Sequence, residues 1–143
     1  MKFAFNINCY QAEDIKELPD DTVMISVNDE YKPFFPLSLD RNSPKICTLQ
    51  FADINDIVYR EGTPYHPIGD DDCLKALKFI NTNKDKNFIV HCAAGVSRSS
   101  GICLFLHLMY GHALRKDFWK VSHPNAMVLG KLMLFRAKYG DIV

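Results

Sequence analysis

Apolar and polar positions alternate from Phe3 to Asn8, the two-residue period of a short, half-buried strand. A polar, helix-compatible segment around Ala12 to Leu18 follows and ends at the Pro19-Asp20-Asp21 turn. Val23 to Val27 and Ile46 to Phe51 read as two further strands. Between them, Asp29 to Pro44 carries Pro33, Pro36 and Pro44 among polar residues, which predicts a surface excursion without regular structure. A second stretch rich in breakers, Asp53 to Gly69, holds Gly62, Pro64, Pro67 and Gly69 and predicts a long loop able to cover a site.

From Asp70 the period becomes helical, with Leu74, Leu77, Phe79 and Ile80 supplying the apolar face. Asp70, Asp71 and Asp72 stand where capping and the helix dipole favour acids, so they require no catalytic explanation. The continuous apolar run Phe88-Ile89-Val90 predicts a central strand covered on both faces, and it delivers His91 and Cys92 at its end. Gly101 to Tyr110 is apolar on nearly every side, as a buried helix is. Two more helical segments lie near Leu114 to Val121 and Asn125 to Tyr139. This alternation predicts an α/β fold with a central, mainly parallel sheet flanked by helices, whose ligand sites lie beyond the carboxyl ends of the strands.

The chain has 143 residues, 48% of them hydrophobic and 24% charged, enough for one domain with its own core. Seventeen basic and seventeen acidic side chains cancel, which argues against nonspecific nucleic-acid binding or attachment to an anionic membrane surface. No apolar run is long enough to span a bilayer, and the first residues lack a signal-peptide core. Five cysteines, Cys9, Cys47, Cys73, Cys92 and Cys103, are odd in number and form no CxxC pair. That pattern predicts reduced thiols in a cytoplasmic protein and disfavours a disulfide framework or a thiol-redox motif. The five histidines show no ligand spacing, so no metal or other cofactor is expected.

The chemistry concentrates in His91-Cys92-Ala93-Ala94-Gly95-Val96-Ser97-Arg98-Ser99. A strand-to-helix turn converges successive backbone N–H groups on an anion, and the helix N-terminus adds positive potential. The same donors stabilise a thiolate, the nucleophilic form of Cys92. Arg98 lies six positions on, so a loop curled around one phosphate brings the guanidinium back for a bidentate grip. Ala93, Ala94 and Gly95 let the backbone approach closely, and Gly95 can adopt a positive φ. Ala93 to Ser97 together with Arg98 are therefore the candidate phosphate-binding residues. Ser99 can donate a hydrogen bond to the sulfur when it leaves as thiolate.

These residues match the HCxxGxxR(S/T) signature, and HCAAGVSRSS resembles the compact dual-specificity branch of the protein tyrosine phosphatases. The resemblance runs from about Ile46 to the C-terminus and includes Pro124-Asn125, which is similar to a Pro-Asn element in small members of that branch. It implies one catalytic domain over residues 1–143, with Cys92 as nucleophile and Arg98 as phosphate ligand. It further implies His91, Ser99 and Asn125 as supporting residues. His91 would orient the loop by hydrogen bonds rather than transfer protons.

Departure of an alkoxide or phenoxide calls for a carboxylic acid facing the loop, and the resemblance implies one upstream of it, just after a strand. Asp53 at the end of a predicted strand is the first candidate and Asp56, which helix capping would equally explain, is the competitor. The loop interior carries no lysine or arginine, which favours a phosphorylated protein substrate over a phosphoinositide, nucleotide or RNA 5′-phosphate. A short chain implies a shallow cleft open to phosphotyrosine and to phosphoserine or phosphothreonine. Tyr31, Phe34, Phe35 and Tyr59 are candidates to line it or to pack. The rival of another class is a phosphate-binding pseudoenzyme that grips a phosphorylated partner without turnover. No feature of the sequence sets an oligomeric state.

Overall fold

The computed structural model describes residues 2–140. Four strands form one wholly parallel sheet in the order β1-β6-β2-β3, with β1 at Ala4–Ile7, β2 at Thr22–Asn28, β3 at Ile46–Gln50 and β6 at Asn87–His91. The chain is thus α/β with a parallel sheet flanked by helices, as its alternating pattern predicts. β6 lies between β1 and β2, and the full burial of Phe88 and Val90 accords with its apolar run.

Side chains alternate between two apolar clusters. Val23, Ile25 and Val27 of β2, with Phe88 and Val90 of β6, join Leu77 and Ile80 of α2 (Asp70–Thr82) and Ile102, Phe105 and Leu106 of α3 (Arg98–Tyr110). Val128 and Leu132 of α5 (Ala126–Tyr139) complete that layer. Met24 and Ile46 point the other way, where Ala12 of α1 (Cys9–Asp14) and Leu37 and Leu39 of the excursion cover them. The 29–45 segment therefore lacks regular structure yet serves as a lid on the second face.

Three expectations need correction. The first helix spans Cys9–Asp14, not Ala12 to Leu18, because Asn8 caps it reciprocally with Gln11 (2.8 and 2.9 Å) and Ile15 turns to extended backbone. The 53–69 stretch is not all loop: β4 (Val58–Arg60) and β5 (Thr63–Tyr65) form an antiparallel hairpin. Its two linking residues, Glu61 and Gly62, both take positive φ (52° and 81°), the signature of a type I′ turn. Of the helix expected over Leu114 to Val121, only one turn exists, α4 (Phe118–Val121), since Phe3 and Ala113 form a β-bridge and Leu114 packs against the core. The Asp70 to Asp72 run behaves as expected of a helix start: Asp72 Oδ2 accepts from the Gly69 N–H (3.1 Å), and Asp70 pairs with Lys131.

Among the described residues no helix is long and apolar enough to cross a membrane, and no group of three or more His, Cys, Asp or Glu could hold a metal ion.

Candidate functional site

Parallel strands bring their carboxyl ends to one edge of the sheet, and each strand contributes there. Cys92 follows β6, Asp29 follows β2, Asp53 lies just beyond β3, and Asn6 lies near the end of β1. The Cys92-to-Arg98 loop then enters α3, whose first residue is Arg98.

The loop is held from outside by its carbonyls. Ala93 O accepts from the Cys9 N–H (3.1 Å), Gly95 O from Asn6 Nδ2 (2.8 Å), Val96 O from the His123 N–H (2.9 Å) and Ser97 O from the Asn125 N–H (3.0 Å). Its N–H groups are disposed differently. That of Gly95 donates to Cys92 Sγ at 3.3 Å, while those of Ala93, Ala94, Val96 and Ser97 donate to no protein acceptor among the described residues. Carbonyls turned out and amides left unspent make a nest with the polarity an anion requires. Gly95 takes φ +73°, and a Cβ there would stand 2.4 Å from the Ile7 carbonyl carbon, so both conformation and packing demand glycine.

Cys92 is 2% exposed, and its sulfur lies 3.2 Å from Ser99 Oγ. Arg98, 4% exposed, donates from Nη1 to Phe51 O (2.8 Å) and Asn28 O (3.4 Å), and from Nη2 to Asp29 Oδ1 (2.7 Å). A guanidinium has five N–H groups. These three bonds fix its position and leave two donors, among the described residues, for an anion.

Asp53 Oδ1 accepts from Ser97 Oγ (2.8 Å) and Asn125 Nδ2 (2.9 Å), which ties the carboxylate to the loop. Ser97 is the N-cap of α3 yet makes no capping bond with its side chain, since its hydroxyl is committed to Asp53. The helix N-terminus is thereby left to a ligand rather than to its own cap. Asn125 does three things: its N–H holds the loop, its Nδ2 holds Asp53, and its Oδ1 caps α5 through the Val128 N–H (3.0 Å). Asp56 is exposed, bonds the adjacent Ile57 N–H (2.8 Å) and starts no helix, so the capping role expected of it does not exist. Of the two candidate acids, only Asp53 is joined to the loop by a hydrogen bond.

His91 is fully buried in register with Ser26 of β2. Its Nδ1 faces the Cys92 carbonyl (3.2 Å), which can only accept, so Nδ1 carries the hydrogen and Nε2 accepts from Ser26 Oγ (2.6 Å). Ser26 Oγ accepts in turn from Arg41 Nη1 (2.9 Å) and Asn28 Nδ2 (3.1 Å), which completes its bonding. Burial, helped by the charges of Arg41 and Arg98 and opposed by the Cys92 backbone bond, lowers the His91 pKa to about 4. The ring is a neutral strut under the loop.

A cavity of about 260 Å³ opens beside the loop, lined by Arg98 and Asp53 together with Asp29, Lys32, Arg60 and Tyr65. Of the aromatic residues singled out in the sequence, none lines it. Phe35 meets His91 edge-on (6.0 Å), Phe34 lies under Arg41 (5.1 Å), Tyr31 packs on Tyr65 (5.3 Å) and Tyr59 faces solvent. Sequence reasoning missed Asn6, Ser26, Asn28, Asp29 and Arg41. Asn6 and Ser26 are polar residues inside strands and fully buried, a combination that signals internal hydrogen bonding: Ser26 Oγ is fully bonded, and Asn6 spends its Nδ2 on Gly95 O and Ser122 Oγ while its Oδ1 has no partner among the described residues.

The chain matches no protein-family model, no curated protein sequence and no solved structure.

Proposed function

We propose that this protein is a cysteine-dependent phosphatase with the dual-specificity type of fold, acting on phosphotyrosine and on phosphoserine or phosphothreonine in proteins. The observation that carries the reading is the loop itself: a buried thiol surrounded by uncommitted backbone N–H groups, with a braced arginine and a tethered aspartate alongside.

In the first step the Cys92 thiolate attacks phosphorus, the S–P bond forms and the P–O bond to the leaving group breaks. Amides of Ala93, Ala94, Val96 and Ser97 and the two remaining Arg98 donors stabilise the charge on the transferring oxygens, while the Gly95 N–H faces the sulfur. Asp53 passes its proton from Oδ2 to the leaving oxygen, because Oδ1 is occupied by two donors. In the second step the Asp53 carboxylate takes a proton from water, the water oxygen bonds to phosphorus and Cys92 leaves as thiolate, met by the Ser99 hydroxyl.

The test is hydrolysis of a small aryl phosphate and of phosphotyrosine and phosphoserine peptides by wild type, Cys92→Ser and Asp53→Asn. Cys92→Ser abolishes all turnover. Asp53→Asn lowers kcat on the peptides by about 10²- to 10⁴-fold and affects a good aryl leaving group less. Peptide binding without turnover by wild type would replace this reading with that of a phosphate-binding module.

A further inference from the structure

One face of the β4–β5 hairpin lines the cavity that Arg98 and Asp53 share. Register determines which residues it carries. Arg60 pairs with Thr63 and Val58 with Tyr65, so Arg60 and Tyr65 project on the same side, while Tyr59 projects oppositely and is 71% exposed. The Arg60 guanidinium lies 5.5 Å over the Tyr65 ring, which Tyr31 meets edge-on, so the cation is held in place before any ligand arrives.

The hairpin is also anchored. The Tyr31 hydroxyl donates to Pro64 O, the His66 N–H donates to Glu30 Oε1 (2.6 Å), and His66 O accepts from the Ala52 N–H (2.8 Å). It is a rim of stable position rather than a free flap.

Three acids line the cavity, and each is engaged: Asp29 with Arg98, Glu30 with His66, and Asp53 with Ser97 and Asn125. Lys32 and Arg60 line it too, and neither forms an ion pair with another described residue. The two cations with no ion-pair partner among the described residues therefore lie at the rim, while the loop interior from Ala93 to Ser97 holds no base.

We infer that Lys32 and Arg60 form a subsite for a second anionic group, carboxylate or phosphate, flanking the phosphorylated residue of a protein substrate. This rests on the phosphatase reading and narrows its substrate class to acidic phosphopeptide segments. One phosphoryl group sits under Arg98, and the neighbouring side chain of the substrate reaches the cations across the cavity. Such contacts are exposed and charge-based, so they weaken with salt.

The experiment uses phosphotyrosine peptides identical except for flanking residues that are glutamate, alanine, lysine or a second phosphoserine. Wild type, Lys32→Ala and Arg60→Glu are compared by kcat/KM, and Cys92→Ser carriers of the same changes by fluorescence anisotropy. Wild type favours glutamate over alanine flanks by about three- to tenfold at low salt. Lys32→Ala shrinks that preference, and Arg60→Glu turns it toward lysine flanks. The phosphoserine arm separates phosphate from carboxylate as the preferred source of the anion. Equal efficiency on all flanks, a preference that survives both substitutions, or better turnover of an inositol polyphosphate than of every peptide would overturn the inference. Absence of turnover even on an aryl phosphate would count against the phosphatase reading alone, because the anisotropy comparison still reads the subsite.

Discussion

His91 has both ring nitrogens bonded and no contact with solvent, so charging it would leave a proton where Ser26 now donates. The thermodynamic consequence has a definite sign. Well above pH 6.5 the ring is neutral in both folded and unfolded chains and contributes no pH dependence. As pH falls from 6.5 toward about 4, the unfolded chain takes up a proton that the native chain refuses, and stability declines. The loss is on the order of 3 kcal/mol once both forms are protonated. His112, whose pKa burial also lowers, acts in the same direction. Urea unfolding from pH 7 to pH 4 should show wild type falling more steeply than His91→Gln, even though the variant starts less stable; parallel curves would refute the assignment. At this scale the sequence was legible where one stretch carries the candidate site, as with Cys92, Gly95, Arg98 and Ser99, which the structure brings together. It was not legible for Asp29 or Asn6, because a lone acid just past a strand, or an amide inside one, does not announce which distant group it meets.

The hinge between chemistry and scaffold is the N-terminus of α3. Ser97 holds Asp53 instead of capping the helix, so Ser97→Ala removes a positioning bond without removing a cap. Thermal or urea stability should stay within about 0.5 kcal/mol of wild type. Turnover of a phosphoserine peptide, which depends on the acid, should drop about three- to tenfold, less than on losing Asp53 itself because Asn125 still holds Oδ1. A nitrophenyl ester, whose leaving group barely needs the proton, should change little. Equal loss on both substrates, or a clear loss of stability, would show that Ser97 only supports the helix. Helices and central strands were readable because their apolar periods extend over several residues. The hairpin was not: its strands have three residues each, one interrupted by Pro64, and its turn uses Glu61 at positive φ where glycine or asparagine would have signalled it.

Across the whole molecule, alternating strands and helices were enough to predict a parallel sheet, but strand order was not, since no local pattern records that β6 inserts between β1 and β2. That insertion puts Cys92 beside the strand ends that supply Asn6 and Asp29, and it packs Gly95 against the β1–α1 junction. The sheet thus brings residues far apart in sequence to one edge, where the unspent N–H groups of the loop lie. The most direct test of a phosphatase built this way is to mix the Asp53→Asn protein with an aryl phosphate, quench in acid and locate any phosphoryl group by peptide mass spectrometry. One phosphoryl group is expected on the peptide bearing Cys92, absent from Cys92→Ser. Turnover of the ester with no adduct on Cys92, or an adduct on another residue, would contradict it.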